Sequence, residues 1–295
     1  MATLYTHQSE NVSKTWILMI FMFGLIVSIG WFLSYYYNDQ IILYIAVVFS
    51  VVMNVAGYWF SDKVALSMSR AVPASESSYT ELHNIVENLA ITAGLPKPRA
   101  YIIPDQAPNA FATGRNKDHA AIAVTEGLLQ RLDRSELEGV IAHELSHIGN
   151  RDILISTIAV VLAGCISIVS DFFLRGMIRR NSDDNKGGNA LVIIGILLMI
   201  LAPLFAVLIR LAISRKREFL ADASGALLTR YPEGLAKALE KIAAYDHPMN
   251  HASDATAHMF ISNPFGSQAL KGIHGLFATH PPVDERIRAL RDLSV

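Results

Sequence analysis

The sequence predicts an α+β, mainly α-helical protein: four transmembrane helices joined to a domain that holds a small β-sheet. Three observations predict it. The chain has 295 residues, of which 52% are hydrophobic and only 17% charged, with a mean hydropathy of +0.34; ordinary soluble domains are more polar. Four apolar runs approach the length of about 20 residues that crosses a hydrocarbon core of about 30 Å. Between the two pairs of runs lies mixed, polar sequence with alternating strand signals and a helix bearing His143-Glu144-Leu145-Ser146-His147.

From the N-terminus, residues 1–14 read as a polar tail. Residues 16–37 and 41–60 carry no charge and form a hairpin of spans across the turn Asn38-Asp39-Gln40. Aromatics crowd their ends (Trp16, Trp31, Tyr58, Trp59), as at a headgroup level. The first run is too long for a signal peptide's apolar core and lacks a small-residue cleavage site, so it is read as retained. The tail and hairpin, 1–61, form one unit.

Residues 62–152 read as the first part of the polar domain. Leu82, Ile85, Val86 and Leu89 recur at helical spacing, and Gly94 ends that helix. Residues 99–103, 110–113 and 119–125 read as strands, with turns at Pro104 and Gly114. Ser135 followed by Glu138 reads as a capping box opening the motif helix. Residues 153–209 form the second hairpin, with runs at 153–170 and 190–209. Gly164, Asp171 and Pro203 interrupt them, so a buried hairpin inside a domain is the competing reading. Residues 210–295 return to helical, polar-domain character, with a loop expected over 247–275.

The motif carries the chemistry. In a helix, positions i and i+4 share a face, so the imidazoles of His143 and His147 can reach one zinc ion, with Glu144 beside them as general base. A catalytic zinc site needs a third protein ligand and an open position. Glu218 and Asp222 also stand four apart, a repulsive spacing on an isolated helix that a cation and an imidazole N–H would turn to attraction. Glu218 is the expected third ligand, and Asp222 the expected acceptor fixing the tautomer of His143. The alternative is a solvated acidic face beside Arg215, Lys216 and Arg217. If helices continue from His147 to position 153 and from position 209 to Glu218, an antiparallel hairpin brings both ligand sets out on one side, about 10 Å from the lipid. Gly139 is expected to leave space on the metal side.

These residues match a family. His143 to His147, with Arg217-Glu218-Phe219-Leu220-Ala221-Asp222, resemble the HtpX-type membrane zinc peptidases, relatives of the CAAX prenyl endopeptidases in the gluzincin clan. Asn109-Ala110-Phe111-Ala112-Thr113-Gly114 and Thr279-His280-Pro281-Pro282 resemble further segments of that family, in order. The likeness spans nearly the whole chain. It implies a gluzincin-like domain and a membrane endopeptidase of protein quality control. One Zn²⁺ would sit on His143, His147 and Glu218, with Glu144 catalytic. It also implies that Asn109 and Ala110 lie on an edge strand that pairs with substrate backbone. His280 is the expected donor to the oxyanion, by analogy with gluzincin clefts.

The expected partners are protein or peptide substrates, the lipid bilayer and membrane quality-control proteins. A net charge of −1 offers no basic field for nucleic acid. The single cysteine, Cys165, permits no intrachain disulfide. An intramembrane protease is disfavoured because Arg131, Asp133, Arg134, Glu136 and Glu138 surround the start of the motif helix, and such charges are costly in lipid. A catalytically silent zinc-containing adaptor is the alternative from another class; it would have no need of Glu144. Positive charge near the span ends favours the motif side (Lys14, Lys63, Arg70, Arg151, Arg210, Arg215 to Arg217) over the connector, where Arg175, Arg179, Arg180 and Lys186 lie beside Asp183 and Asp184. The catalytic domain is therefore expected in the cytoplasm of a cell whose inner or plasma membrane holds a multi-pass protein.

Overall fold

Helices α1 (Leu4–Tyr37) and α2 (Gln40–Met68) form an antiparallel hairpin that leads into a domain built on a four-stranded sheet. The computed structural model describes residues 4–161, 215–253, 255–266 and 281–293. Asn38 takes a left-handed φ of 51°, and Asp39 then caps α2, its Oδ1 accepting from Ile41 N–H at 2.9 Å. The outward faces of both helices are apolar and open, with Ile17, Ile20, Val48, Val52 and Val55 all exposed. Both are long and apolar enough to cross a membrane. A core helix of the same composition would be covered by protein; these are covered by little of it.

The helix does not stop where the apolar run does. α1 reaches back through the predicted polar tail to Leu4, and Asn11 and Thr15 are buried in protein. Their polarity is explained by partners inside the fold, not by solvent. At the other end, α2 continues past Phe60 to Met68 and buries Ala65 and Leu66 under the sheet. The hairpin and the domain thus share an element across the expected boundary at 61.

The sheet runs β1 (Val72–Pro73), β2 (Arg99–Ile103), β4 (Ala120–Thr125), β3 (Ala110–Gly114). β2 and β4 are parallel, and β1 and β3 are antiparallel additions at the two edges. The strand predictions at 99–103 and 110–113 agree with this to within a residue. β4 starts one residue later than predicted, because residues Lys117–His119 form a 3-10 turn capped by Asn116, whose Oδ1 accepts from His119 N–H at 3.0 Å. β1, only two residues long, is too short to leave a periodic signal.

Both faces of the sheet are covered, so every residue of β3 and β4 is buried. Ala112, Ile122 and Val124 face helices α3 (Thr80–Ala93) and α5 (Arg134–Gly149). Phe111, Ala121 and Ala123 face α2, Met259 and Phe260. Helix α3 buries Leu82, Ile85, Val86 and Leu89 as expected and ends at Gly94, whose φ of 66° is the left-handed cap glycine favours. A short helix α4 (Glu126–Arg131) separates the sheet from α5.

The capping box of α5 is two residues upstream of the predicted one. Asp133 accepts from Glu136 N–H at 3.0 Å while Glu136 Oε2 accepts from Asp133 N–H at 2.8 Å. The side chain of Ser135 bonds Asp133 instead, and Glu138 pairs with Arg134 at 3.0 Å. Beyond α5 the chain breaks at Asn150 and Arg151, where a continuous helix was expected, and restarts as α6 (Asp152–Val161). These opening residues of the third apolar run are almost all buried, packed on the domain and on Leu18 and Met22 of α1. The rest of that run and the whole fourth run lie outside the described residues, so two of the four expected spans are seen. Helices α7 (Arg215–Thr229), α8 (Pro232–Ala243) and α9 (Val283–Arg291) complete the domain. The expected loop over 247–275, where described, is non-helical apart from the turn Ala257–Met259.

Candidate active site

Helix α5 carries His143 and His147 on one face, their Nε2 atoms 3.2 Å apart. Helix α7 brings Glu218 against them: Oε2 lies 3.9 Å from His143 Nε2 and Oε1 lies 3.7 Å from His147 Nε2. A tetrahedral zinc with bonds of about 2.0–2.2 Å sets its ligand atoms about 3.3–3.6 Å apart, so two neutral imidazoles and a carboxylate at these spacings fit such an ion. Two ring nitrogens pointed at each other cannot both donate, and a shared cation resolves the conflict. His143 and Glu218 are buried and His147 is half-buried.

The close approach of α7 depends on Gly225. A Cβ there would stand 2.9 Å from His143 N and 3.2 Å from its Cα. Gly139 serves a different contact from the one expected: its missing side chain faces Leu235 N at 2.7 Å on α8, not the metal side. The spacing of one turn from His143 does not distinguish these directions.

Each histidine turns its other nitrogen to a carboxylate. Nδ1 of His143 lies 2.9 Å from Asp222 Oδ1, with the oxygen out of line for a straight N–H bond. Nδ1 of His147 lies 3.0 Å from Asp152 Oδ2. Such partners fix tautomer and ring orientation. Both carboxylates are themselves held. Arg286 of α9, fully buried, donates twice to Asp222, and Asn11 of α1 donates to Asp152 at 2.7 Å. Sequence reasoning missed Asp152, Arg286 and Asn11. Asp152, five residues after His147, was the only one of these close enough to the motif to invite attention.

The electrostatics follow from burial and these neighbours. Burial pushes the His143 imidazole below its ordinary value, against the pull of Asp222. Burial also works against protonated His147, but the bond to Asp152 and the charge of Glu218 outweigh it and lift the ring to about 9. Burial raises the Glu144 carboxyl to about 7; Glu218 adds to this, while His147 and the Ala112 backbone N–H oppose it. Asp222 would rise on burial, yet Arg286 holds it at about 2.

A cavity of about 30 Å³ is lined by His143, Glu144, His147 and Glu218 together with Ala112, Met259 and Ile261. That is room for a water. His258 also lines it and approaches Ser156 O at 3.0 Å.

Ala110 opens the edge strand β3, and Asn109, expected on that strand, directly precedes it; the outward groups of both are engaged. Ala110 O accepts from Ile261 N–H at 2.9 Å. The Asn109 side chain bonds both the carbonyl and the amide of Ser262, at 2.9 and 3.2 Å. Farther along the edge, Gly114 N–H meets Thr157 Oγ1 at 3.3 Å. Ala112 lies between, beside Glu144. His280 is outside the described residues.

Comparison with known proteins places the whole assembly. The model of Peptidase family M48 matches residues 76–294. The chain is 49% identical over an alignment of 302 positions to the "Protease HtpX homolog" of Caldanaerobacter subterraneus subsp. tengcongensis, covering 99% of both chains. It is 49% identical to that of Pyrococcus furiosus, covering 96% of each. The crystal structure of S. mikatae Ste24p superposes with a TM-score of 0.51 at 21% identity, covering 98% of this chain and 67% of that one; this likeness shows the fold. With the histidine pair, the glutamate and the apolar hairpin in place, the chain belongs to peptidase family M48, as a membrane metalloprotease of the HtpX type.

Proposed function

We propose that the protein is a zinc-dependent endopeptidase of the cell membrane, with its catalytic domain in the cytoplasm, that hydrolyses misfolded or membrane-inserted proteins. The observation that supports it best is the convergence of His143, His147 and Glu218 with Glu144 on one water-sized cavity. When bound there, zinc would supply Lewis acidity toward water and the substrate carbonyl. Glu144 takes the proton of the attacking water and returns it to the leaving amine. Its burial, which disfavours the charged carboxylate, suits a base that must hold a proton in mid-reaction. Asp222 and Asp152 keep the two rings turned toward the ion. His280 is the proposed donor to the oxyanion.

Substrate binding is proposed at Asn109 and Ala110 by strand addition to β3. Ile261 now bonds Ala110 O, so a peptide pairing there takes the place of the Phe260–Ser262 stretch. A water-sized cavity agrees with that requirement.

Four spans are part of the proposal, the second pair being residues 153–170 and 190–209. A cysteine at Asn185→Cys, in a Cys165→Ser background, should react with an impermeant thiol reagent from outside intact cells; labelling only after lysis contradicts the orientation. The function is tested with purified protein and an unfolded membrane-protein substrate. Cleavage should stop with chelator and with Glu144→Gln, while Glu144→Gln retains its metal. Unimpaired cleavage without metal contradicts the zinc mechanism, and metal retention with no hydrolysis by wild type favours the adaptor.

A further inference from the structure

Asn11, on the first membrane helix, has its amide closed around Asp152, the carboxylate that faces His147. The local chain path makes this possible. After α5, Arg151 takes a φ of 59°, a left-handed conformation that residues other than glycine seldom adopt. The reversal folds Asp152 back on the motif helix, with Oδ2 3.0 Å from His147 Nδ1. Its second oxygen accepts from Asn11 Nδ2 at 2.7 Å, and the same amide nitrogen donates to Asn150 O at 3.2 Å. Asn11 therefore clasps the turn at two points.

The amide's other end is also used. Arg217 Nη1 donates to Asn11 Oδ1 at 3.2 Å and approaches Asp152 Oδ1 at 3.5 Å. Arg217 directly precedes Glu218. One side chain of α1 thus joins the turn behind the histidine pair to the start of the helix that bears the third ligand. Asn11 and Asp152 are 4% and 5% exposed, so water does not compete for these bonds. Farther along α1, Leu18 and Met22 pack on Leu154 and Ile158 of α6, which seats the two helices against each other.

We propose that Asn11 is a positioning residue for the peptidase reaction: by holding Asp152 it sets the ring of His147, and the first membrane helix is part of the catalytic centre and not an anchor alone. This rests on the reading of His143, His147 and Glu218 as metal ligands. Removing the partner of a metal-ligating histidine typically weakens metal binding about 10–100-fold. Asn11 acts one bond farther out, so its loss should weaken binding by about 3–10-fold, through Asp152.

The test is the rate of zinc transfer to a chelator from the purified full chain in detergent, with the visible spectrum of the cobalt-substituted protein as a report on the ligand field. Asn11→Leu keeps the γ-branched shape and does not lower helix propensity; Asn11→Ala stands in if that protein is not recovered. Either should release zinc about 3–10-fold faster and shift the cobalt spectrum. Asp152→Asn should release it faster still, and the double variant should be no worse than Asp152→Asn, because groups in one network are not additive. Met22→Ala loosens the seating of α1 without touching these bonds and should melt earlier at an unchanged zinc rate. Equal retention by Asn11→Leu and wild type, additive effects in the double variant, or an equal effect of Met22→Ala overturns the proposal alone. A wild type that takes up no zinc refutes the ligand reading first, and this inference with it.

Discussion

Arg286 and Asp222 meet through two bonds, Nε to Oδ2 at 2.8 Å and Nη2 to Oδ1 at 2.7 Å, with neither side chain exposed by more than a few per cent. A third donor, Nη1, reaches Ile261 O at 3.1 Å. The guanidinium therefore joins α9 to the carboxylate behind His143 and to the segment lying over the cavity. A planar fork suits this geometry; an ammonium, as a point charge, does not.

Arg286→Met should leave Asp222 buried without its cationic partner. Breaking such a pair costs about 3–5 kcal/mol, which should lower the melting temperature by roughly 10 °C for a domain of this size. Arg286→Lys should recover only part of the loss. Thermal unfolding followed by circular dichroism in detergent measures it; a melt equal to wild type would mean that the pair does not hold the domain together.

The convergence of His143, His147 and Glu218 was legible because it reduces to two local spacings, each of four residues on a helix. The flanking contacts were not. Arg286 meets Asp222 across 64 residues and Asn11 meets Asp152 across 141, and no periodicity connects such positions. Asn11 was hidden further by its setting, since a polar residue before an apolar run reads as tail. Gly139 and Gly225 show the limit from another side. Both permit helices to touch, but which helix each faces depends on packing that spacing alone does not encode. The capping box was misplaced by two residues because Ser135 and Glu138 satisfy the same pattern that Asp133 and Glu136 occupy.

Gly225→Ala should force α7 away from α5, since the added carbon would lie 2.9 Å from a backbone nitrogen of His143. Glu218 moves with α7, so metal should be lost or bound about tenfold more weakly, as for other changes in the support of a ligand. Gly24→Ala, where an added Cβ meets nothing within 4 Å, should leave metal content unchanged. Metal analysis after dialysis against a weak chelator distinguishes the two; equal metal in both variants would contradict the role given to Gly225.

Asp133→Ala should destabilise the motif helix by about 1 kcal/mol, the usual cost of a lost N-cap, and Asp133→Asn by less. Bonds from Glu136 N–H and Ser135 hold the Asp133 carboxyl below its ordinary value. Its folded pKa is depressed, so its contribution is present above the unfolded value of about 3.9 and fades as pH falls through the folded value. Wild type and Asp133→Ala should therefore differ in stability at pH 6 and converge in strong acid. A difference that grows on acidification contradicts the assignment.

Asn109→Ala should release Ser262 from β3, removing two side-chain bonds worth about 1 kcal/mol each. Hydrogen exchange at the amides of Ile261 and Ser262 should speed up while that of Val124, in the sheet interior, stays slow. Unchanged protection at Ser262 would show that Asn109 is not what pins the segment.

The most direct measurement is the zinc content and X-ray absorption spectrum of the wild type beside Glu218→Ala. The account predicts one zinc per wild-type chain, in a shell of two imidazoles and carboxylate or water oxygens, and little or none in Glu218→Ala. Full zinc occupancy with an unaltered spectrum in Glu218→Ala would contradict it.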